Sequence, residues 1–439
     1  MYATFVLVLL ALVWCAWHRL NRSLYNDAFS PFNLLFYFWI APFGLSFSEL
    51  STLQSGIEAN ALAVILLSTA VLVATCLLPS SLIPRASAAS FGTKNPQQPR
   101  IRPVGVLVFY FVTLVALYVA EFSERDLPLV VYLLGGVSDS NLHIVGKDSK
   151  LQVIAFGIHS AAIFVFYLCL TETRTLPRLL YLTLGLAVIA LGLLKTSKSD
   201  VYIPVLSFGG LIYYHYRGSN RKLPNVYKVL ALLTVLVVVS ITSIRLEGIG
   251  VDEGYAGLIG FRYANQLGAV ASEAVSIAYG YTALGFQNFS NYVNSHAVEL
   301  RIGTSLFRPV LSALMMGDVA DALGVPVDQW NVVSTAANTG TFLTPLYIEG
   351  GLLFCLLGAL IYGLMVNLAY SYFRTTRSLA WLFTYTSMLF PWTWLFFTNA
   401  FSVLSIYVNL FYVAALSWLF IKKRPRYRTR STSYATRLA

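Results

Sequence analysis

The chain has 439 residues, of which 57% are hydrophobic and 11% are charged, and its formal net charge is +11. Charged residues make up about a quarter of an ordinary water-soluble domain, so this composition excludes one. The basic residues gather in short connections and in the tail, a pattern that is typical of membrane topology and argues against nucleic-acid binding.

Eleven apolar runs are predicted to cross a hydrocarbon core about 30 Å thick as helices. Helices are expected because backbone polar groups in lipid must find their partners within the span. The first run has neither a basic segment before it nor a small-residue cleavage site, so a retained span is predicted there. The predicted spans are 2–17, 32–47, 59–79, 104–120, 151–170, 178–194, 201–216, 228–244, 341–368, 379–397 and 400–421.

The connections between these spans alternate in charge. The segments at 80–103 and 217–228 each carry four basic residues and no acidic one, whereas 245–340 carries eight acidic residues and four arginines. Basic connections face the cytoplasm, so the N-terminus is predicted outside and the C-terminus inside. The chain is then a single integral membrane domain, 1–439, made of eight spans (1–244), a large periplasmic loop (245–340), three spans (341–421) and a basic cytoplasmic tail (422–439).

An outer connection breaks this charge pattern. The stretch LLKTSKSDVYIP (193–204) joins spans six and seven, and on a continuous helix Lys195 and Lys198 would share a face. One interpretation is that both lysines extend to the interface and cap the helix end. The other is a binding site for a phosphate-rich ligand, since arginine and lysine are the usual phosphate partners. Four arginines of the outer loop favour the second: Arg245, Arg262, Arg301 and Arg308.

The large outer loop contains apolar, aromatic stretches at 258–286 and 305–317. These predict short amphipathic or re-entrant helices at the membrane surface. Its many tyrosines fit either an interfacial aromatic belt or stacking on sugar rings, and their number does not separate the two. His296 and Glu349 are candidate general bases for a sugar hydroxyl. Glu349 lies at the mouth of a span and needs a partner, for which an outer arginine is the candidate.

Four segments resemble the Wzy-type oligosaccharide repeat-unit polymerases of bacterial O-antigen, capsule and exopolysaccharide loci. They are SPFNLLFYFWI (30–40), KTSKSD (195–200), GTSLFRPVLSAL (303–314) and NTGTFLTPLYIEGG (338–351). Lys198 stands where that family more usually has arginine, and Glu349 where it has aspartate. Both keep the charge, but a lysine cannot bind a phosphate through a two-donor fork.

The resemblance implies an all-α polytopic bundle of the GT-C-like class in the bacterial cytoplasmic (inner) membrane. Such an enzyme transfers a growing glycan from polyprenyl pyrophosphate to a sugar hydroxyl of a lipid-linked acceptor repeat unit. Its partners would be these lipid-linked oligosaccharides, membrane lipid and a chain-length regulator protein, with neither a cofactor nor a metal. The catalytic candidates are Arg245, His296 and Glu349, and the pyrophosphate-binding candidates are Lys195, Lys198, Arg245, Arg262, Arg301 and Arg308.

Two alternatives remain open on the sequence. An O-antigen ligase has a similar architecture and the same donor but delivers the glycan to lipid A–core, and His296 is compatible with it. A transporter or flippase of lipid-linked sugars is expected to have charged or broken helices at mid-membrane. The predicted spans carry almost no charge at their centres, which favours chemistry at the membrane surface.

Overall fold

The computed structural model describes residues 2–82, 101–122, 150–195, 197–218, 254–264, 266–295 and 340–421. Within these ranges the regular secondary structure is helical, with two isolated β-bridges, Ser51 to Phe261 and Ile101 to Ile421. The helices in chain order are α1 (Tyr2–Leu24), α2 (Pro31–Leu45), α3 (Ala59–Leu82), α4 (Pro103–Leu117), α5 (Lys150–Ala155), α6 (Gly157–Thr171), α7 (Thr175–Leu194), α8 (Lys198–Gly218), α9 (Gly254–Leu258), α10 (Ala269–Ser295), α11 (Leu343–Thr376), α12 (Leu379–Ser387), α13 (Leu389–Thr393) and α14 (Leu404–Phe420).

Six helical segments of the described residues are long and apolar enough to cross a membrane, and α2 and α14 are shorter apolar helices. The long segments are Ala3–Leu24, Ala59–Leu78, Pro103–Ala120, Leu151–Thr171, Thr175–Leu194 and Leu343–Thr376. The predicted helical, multi-pass membrane character is therefore confirmed. The predicted span at 228–244 lies outside the described residues.

Helix α6 forms the centre of the bundle, because every residue from Gly157 to Cys169 is buried. Its aromatic side chains pack against two neighbouring helices. Phe166 stacks on Phe208 of α8 with ring centroids 4.1 Å apart, and Phe164 contacts Phe383 of α12 at 4.5 Å. Offset aromatic pairs of this kind add about 0.5–1.5 kcal/mol each beyond the area that they bury.

One predicted span is interrupted. The run at 379–397 was expected as a continuous helix, but α12 ends at Ser387, α13 ends at Thr393, and a non-helical segment follows to 399. The prediction of a single helix there is wrong. Pro391 lies in the first turn of α13, where its missing N–H and its ring are tolerated best, and the preceding helix ends at Ser387. In contrast, α8 continues through Pro204.

A buried carboxylate, that of Asp27, links several segments of the bundle. The side chain of Asp27, in the connection between α1 and α2, is fully buried. It forms ion pairs with Arg217 of α8 at 3.4 Å and Arg374 of α11 at 3.1 Å. The hydroxyls of Tyr214 and Tyr370 donate to its Oδ2 at 3.2 and 2.8 Å. One side chain thus joins three segments that are far apart in the sequence.

Candidate functional site

The break in α11 is the first element of the candidate site. At Gly350 and Gly351 the backbone leaves the helical conformation, with φ −162° and ψ 18° at the first and φ 60° and ψ −147° at the second. A positive φ is readily adopted only by glycine. The predicted span at 341–368 is therefore two helical pieces, Leu343 to Glu349 and the long helix beyond Gly351.

The backbone conformation at Gly351 predicts that a side chain at this position destabilises the protein. The substitution Gly351→Ala should lower the stability of the protein by about 1–3 kcal/mol, because alanine is strained at this φ. The control is Gly209→Ala in α8, where an added Cβ meets no atom within 4 Å. Thermal unfolding of the two purified variants checks this, and equal melting temperatures would contradict the role assigned to Gly351.

Glu349 is the carboxylate at this break, and its residue exposure is 0%. Tyr362, on the long part of α11, is also buried. The hydroxyl of Tyr362 accepts a hydrogen bond from Nδ2 of Asn399 at 3.2 Å. Asn399 belongs to the non-helical segment after α13, so this hydrogen bond joins that segment to the long part of α11.

Aromatic side chains line the same region. Trp394 contacts Tyr202 of α8 at 4.6 Å and Phe397 at 5.1 Å between ring centroids, and Phe397 contacts Tyr281 of α10 at 5.3 Å. Amphipathic rings such as those of tyrosine and tryptophan combine an apolar face with a polar edge. Such a wall suits a ligand with both properties, for example a sugar ring.

Helix α10 packs closely against this region. A Cβ added at Gly285 would lie 3.0 Å from the carbonyl oxygen of Phe396 and 3.5 Å from the backbone of Gly340, so α10 closely approaches the segment after α13 and the residues just before α11. The prediction of helices within 258–286 is confirmed in part, since α10 covers it from Ala269 onward while α9 ends at Leu258. Helix α10, with 27 residues, is longer than the short helices expected. The second predicted stretch, 305–317, lies outside the described residues.

Arg262 lies in the connection between α9 and α10, which backbone hydrogen bonds hold in place. The backbone N–H of Arg262 donates to the carbonyl oxygen of Leu50 at 2.9 Å, and its side chain is exposed. The carboxylate of Glu273 accepts the backbone N–H groups of Tyr255 and Ala256 at 2.9 and 3.2 Å, which caps the start of α9. Arg262 is therefore held in place by its backbone while its guanidinium faces outward.

The two lysines of KTSKSD belong to different helices. Lys195 is the C-cap of α7 and Lys198 is the first residue of α8, so the expectation that they share one helical face is wrong. The turn is needed because α8 packs against α7: a Cβ at Gly192 would lie 2.9 Å from the backbone of Asp200. The position of the Lys198 side chain lies outside the described residues.

Lys195 forms an ion pair with Asp200, and Asp200 Oδ1 also lies 3.7 Å from Nε2 of His159. Asp200 is in the first turn of α8, before the predicted span at 201–216. Burial alone would raise the pKa of Asp200, but the neighbouring imidazole of His159 and the ammonium of Lys195 hold that pKa below its ordinary value. Any phosphate bound by Lys195 must compete with this carboxylate.

The structure therefore describes the surroundings of three predicted site residues, Lys195, Arg262 and Glu349. The other predicted positions, Arg245, His296, Arg301 and Arg308, lie outside the described residues. Sequence reasoning did not single out His159, Tyr362 or Asn399. A lone histidine within the apolar run IAFGIHSAAIF (154–164) was the available signal for the first. No group of three metal-ligating side chains occurs in the described ranges.

The chain matches no protein-family profile, no curated protein and no solved structure.

Proposed function

We propose that this protein is a membrane glycosyltransferase that polymerises oligosaccharide repeat units carried on polyprenyl pyrophosphate. In this proposal the chain crosses the bacterial cytoplasmic membrane eleven times, as a GT-C-like bundle with its N-terminus outside. The observation that carries the proposal is the break in α11 directly after the buried Glu349, together with a second interruption of the chain after α13. Non-helical backbone at membrane depth is tolerated only where it is buried in protein or lines a cavity, which makes it a marker of a site.

The side chains of the segment after α13 and of the helices next to it suit carbohydrate. Trp394, Phe397 and Tyr281 supply aromatic faces, and Asn399 and Tyr362 supply hydrogen-bonding groups. Oγ1 of Thr344 is buried and has no hydrogen-bond partner in the described part of the chain. A sugar hydroxyl is a suitable partner for such a group, because an unsatisfied buried hydroxyl costs free energy.

The proposed reaction needs a base on one side of the anomeric carbon and cations on the other. The acceptor hydroxyl oxygen forms a bond to the anomeric carbon of the donor, and the bond from that carbon to the phosphate oxygen breaks. The hydroxyl proton passes to Glu349 or His296, and the electron pair leaves with polyprenyl pyrophosphate. Fixed cations stabilise the growing negative charge, a contribution of about 2.7–4 kcal/mol for each well-placed donor.

We assign the pyrophosphate contacts to cations of the outer layer. Arg262 is presented to solvent on its scaffold, and Lys195 lies at the outer turn between α7 and α8. The remaining members of this proposed set are Lys198, Arg245, Arg301 and Arg308. A chain-length regulator protein is a further proposed partner.

A second candidate, a transporter of lipid-linked sugars, is favoured by the same broken helices. Discontinuous helices commonly form substrate sites in transporters. Here the interruptions occur in α11 and after α13. The two candidates differ in what the host loses when the protein is absent.

Deletion of the coding region in the host tests the proposal. A polymerase predicts that single repeat units still reach the final acceptor while long chains disappear. Loss of all glycan on the acceptor, with lipid-linked polymer accumulating outside, would identify a ligase instead. Retention of unpolymerised lipid-linked units on the cytoplasmic side would overturn the polymerase in favour of the transporter.

A further inference from the structure

Two arginines share one buried carboxylate at the ends of α8 and α11. Nη1 of Arg217 lies 3.4 Å from Oδ1 of Asp27, and Nη1 of Arg374 lies 3.1 Å from Oδ2. The Asp27 side chain is fully buried, whereas both arginine side chains are partly exposed. Because arginine stays protonated, two guanidiniums against one carboxylate leave a surplus of one positive charge. The group therefore presents positive charge outward and covers its negative charge.

Neighbouring groups hold both guanidiniums in place. The guanidinium carbon of Arg217 lies 5.6 Å from the ring centroid of Tyr213, and that of Arg374 lies 5.8 Å from the ring centroid of Tyr370. Arg217 also donates to the hydroxyl oxygen of Tyr213 and to the carbonyl oxygen of Asn26. A guanidinium has five N–H donors. The described residues supply Arg217 with these two acceptors and the shared carboxylate, so donors remain for a further oxygen.

This arginine pair lies far from the candidate site. Arg217 is in the last turn of α8 and Asp200 is in the first, which separates them by about 26 Å at the helical rise of 1.5 Å per residue. Arg374 is in the last turn of α11, about 35 Å along the helix from the break at Gly351. Both distances match a hydrocarbon core about 30 Å thick. The pair therefore belongs to the opposite face of the membrane, the cytoplasmic face in the proposed topology.

An exposed aromatic pair marks the same end of α11. Tyr372 stacks on Trp381 of α12 with ring centroids 4.9 Å apart, and both residues are exposed. Exposed tyrosine and tryptophan on membrane helices are typical of the headgroup level. Two more arginines are exposed at this end, Arg22 in the last turn of α1 and Arg377 after α11. The anionic group that a bilayer itself supplies at this depth is phospholipid phosphate.

We propose that Arg217 and Arg374 bind the phosphate group of an anionic phospholipid at the membrane face opposite the candidate site. A guanidinium binds phosphate oxygens through paired N–H donors, and the carboxylate of Asp27 keeps the two guanidiniums side by side. Arg22 and Arg377 add positive potential, which favours a lipid of net negative charge over a zwitterionic one. The bound lipid links α8 to α11 and so stabilises the folded protein.

Native mass spectrometry of the full-length protein in detergent tests this site. Phosphatidylglycerol is the anionic probe and phosphatidylethanolamine the zwitterionic one. The unmodified protein should bind phosphatidylglycerol in preference. Arg217→Gln and Arg374→Gln should each weaken that binding about fivefold, the factor expected for one basic residue at an anionic membrane surface. If these variants do not fold, Arg217→Lys and Arg374→Lys replace them, since lysine keeps the charge beside Asp27 but cannot bind phosphate through a two-donor fork.

Arg174→Gln is the matched control, because Arg174 is an exposed arginine in the connection between α6 and α7. Its variant should bind phosphatidylglycerol as the unmodified protein does. Equal binding of the two lipids by the unmodified protein would overturn the proposal, as would equal losses in the control and the variants of the arginine pair, or no loss in either of the latter. Displacement of the lipid by inorganic phosphate at the same concentration would assign the site to a soluble phosphate instead. The experiment uses no glycan, so its outcome is independent of the proposed transferase function.

Discussion

Replacing Asp27 with alanine is expected to lower the stability of the protein by about 3–5 kcal/mol, the usual result of removing one partner of a buried ion pair. The loss is large because Arg217 and Arg374 would remain at 28% and 29% side-chain exposure without their carboxylate. The hydroxyls of Tyr214 and Tyr370 would lose the same acceptor. Since Asp27 joins α8 and α11 to the connection after α1, the variant should also yield less folded protein.

Glu172→Gln provides the matched control for Asp27. The carboxylate of Glu172, between α6 and α7, is partly exposed and accepts the backbone N–H groups of Thr173 and Arg174. Surface groups of this kind contribute little, about 0–1 kcal/mol. Thermal unfolding of both variants in the same detergent measures the difference. Equal melting temperatures for the Asp27→Ala and Glu172→Gln proteins would show that the buried network does not stabilise the bundle.

The second large effect is expected at Glu349. On the proposed function, Glu349→Gln should reduce glycan polymerisation by about 100-fold or more, the range in which a general base contributes. Glutamine keeps the size and hydrogen-bonding capacity of the side chain but can neither take a proton nor carry a charge. The measurement is the rate at which purified protein joins lipid-linked repeat units, with Glu349→Asp expected to retain part of the activity.

Glu58→Gln controls for the general effect of removing a carboxylate, because Glu58 is exposed in the connection before α3. Its variant should polymerise at the unmodified rate. Equal melting temperatures for all three proteins would exclude a folding defect. Full activity of a folded Glu349→Gln protein would remove Glu349 from the chemistry and leave His296 as the candidate base.

Local patterns predicted much of the secondary structure. Apolar runs of sufficient length identified α1, α3, α4, α6 and α7, and the apolar, aromatic stretch at 258–286 indicated helix there. The interruptions were harder to predict. The pair Gly350–Gly351 and Pro391 are visible in the sequence, but an apolar run continues through both. Tertiary packing decides whether a membrane helix breaks at such residues, since neighbouring segments must satisfy the freed backbone groups.

The long-range clusters could not be predicted from one sequence. Arg374 and Asp27 are 347 residues apart, and no local pattern links them. His159 looks like a core histidine until α8 brings Asp200 to its side. Lys195 was expected to act with Lys198, yet its ammonium lies on Asp200 because the chain turns between the two lysines. In each case the fold, and not the spacing, decides which charges meet.

The proposed function requires the candidate site to face the outer side of the membrane. Arg262 and Arg377 are both exposed, the first beside α9 and the second after α11, so a cysteine at either position should react with a maleimide. Each would be introduced alone after Cys15, the exposed native cysteine of the described residues, is replaced by alanine. In intact spheroplasts, a membrane-impermeant maleimide should label Arg262→Cys at once and Arg377→Cys only after permeabilisation. The opposite pattern would place the site in the cytoplasm and contradict the proposed function.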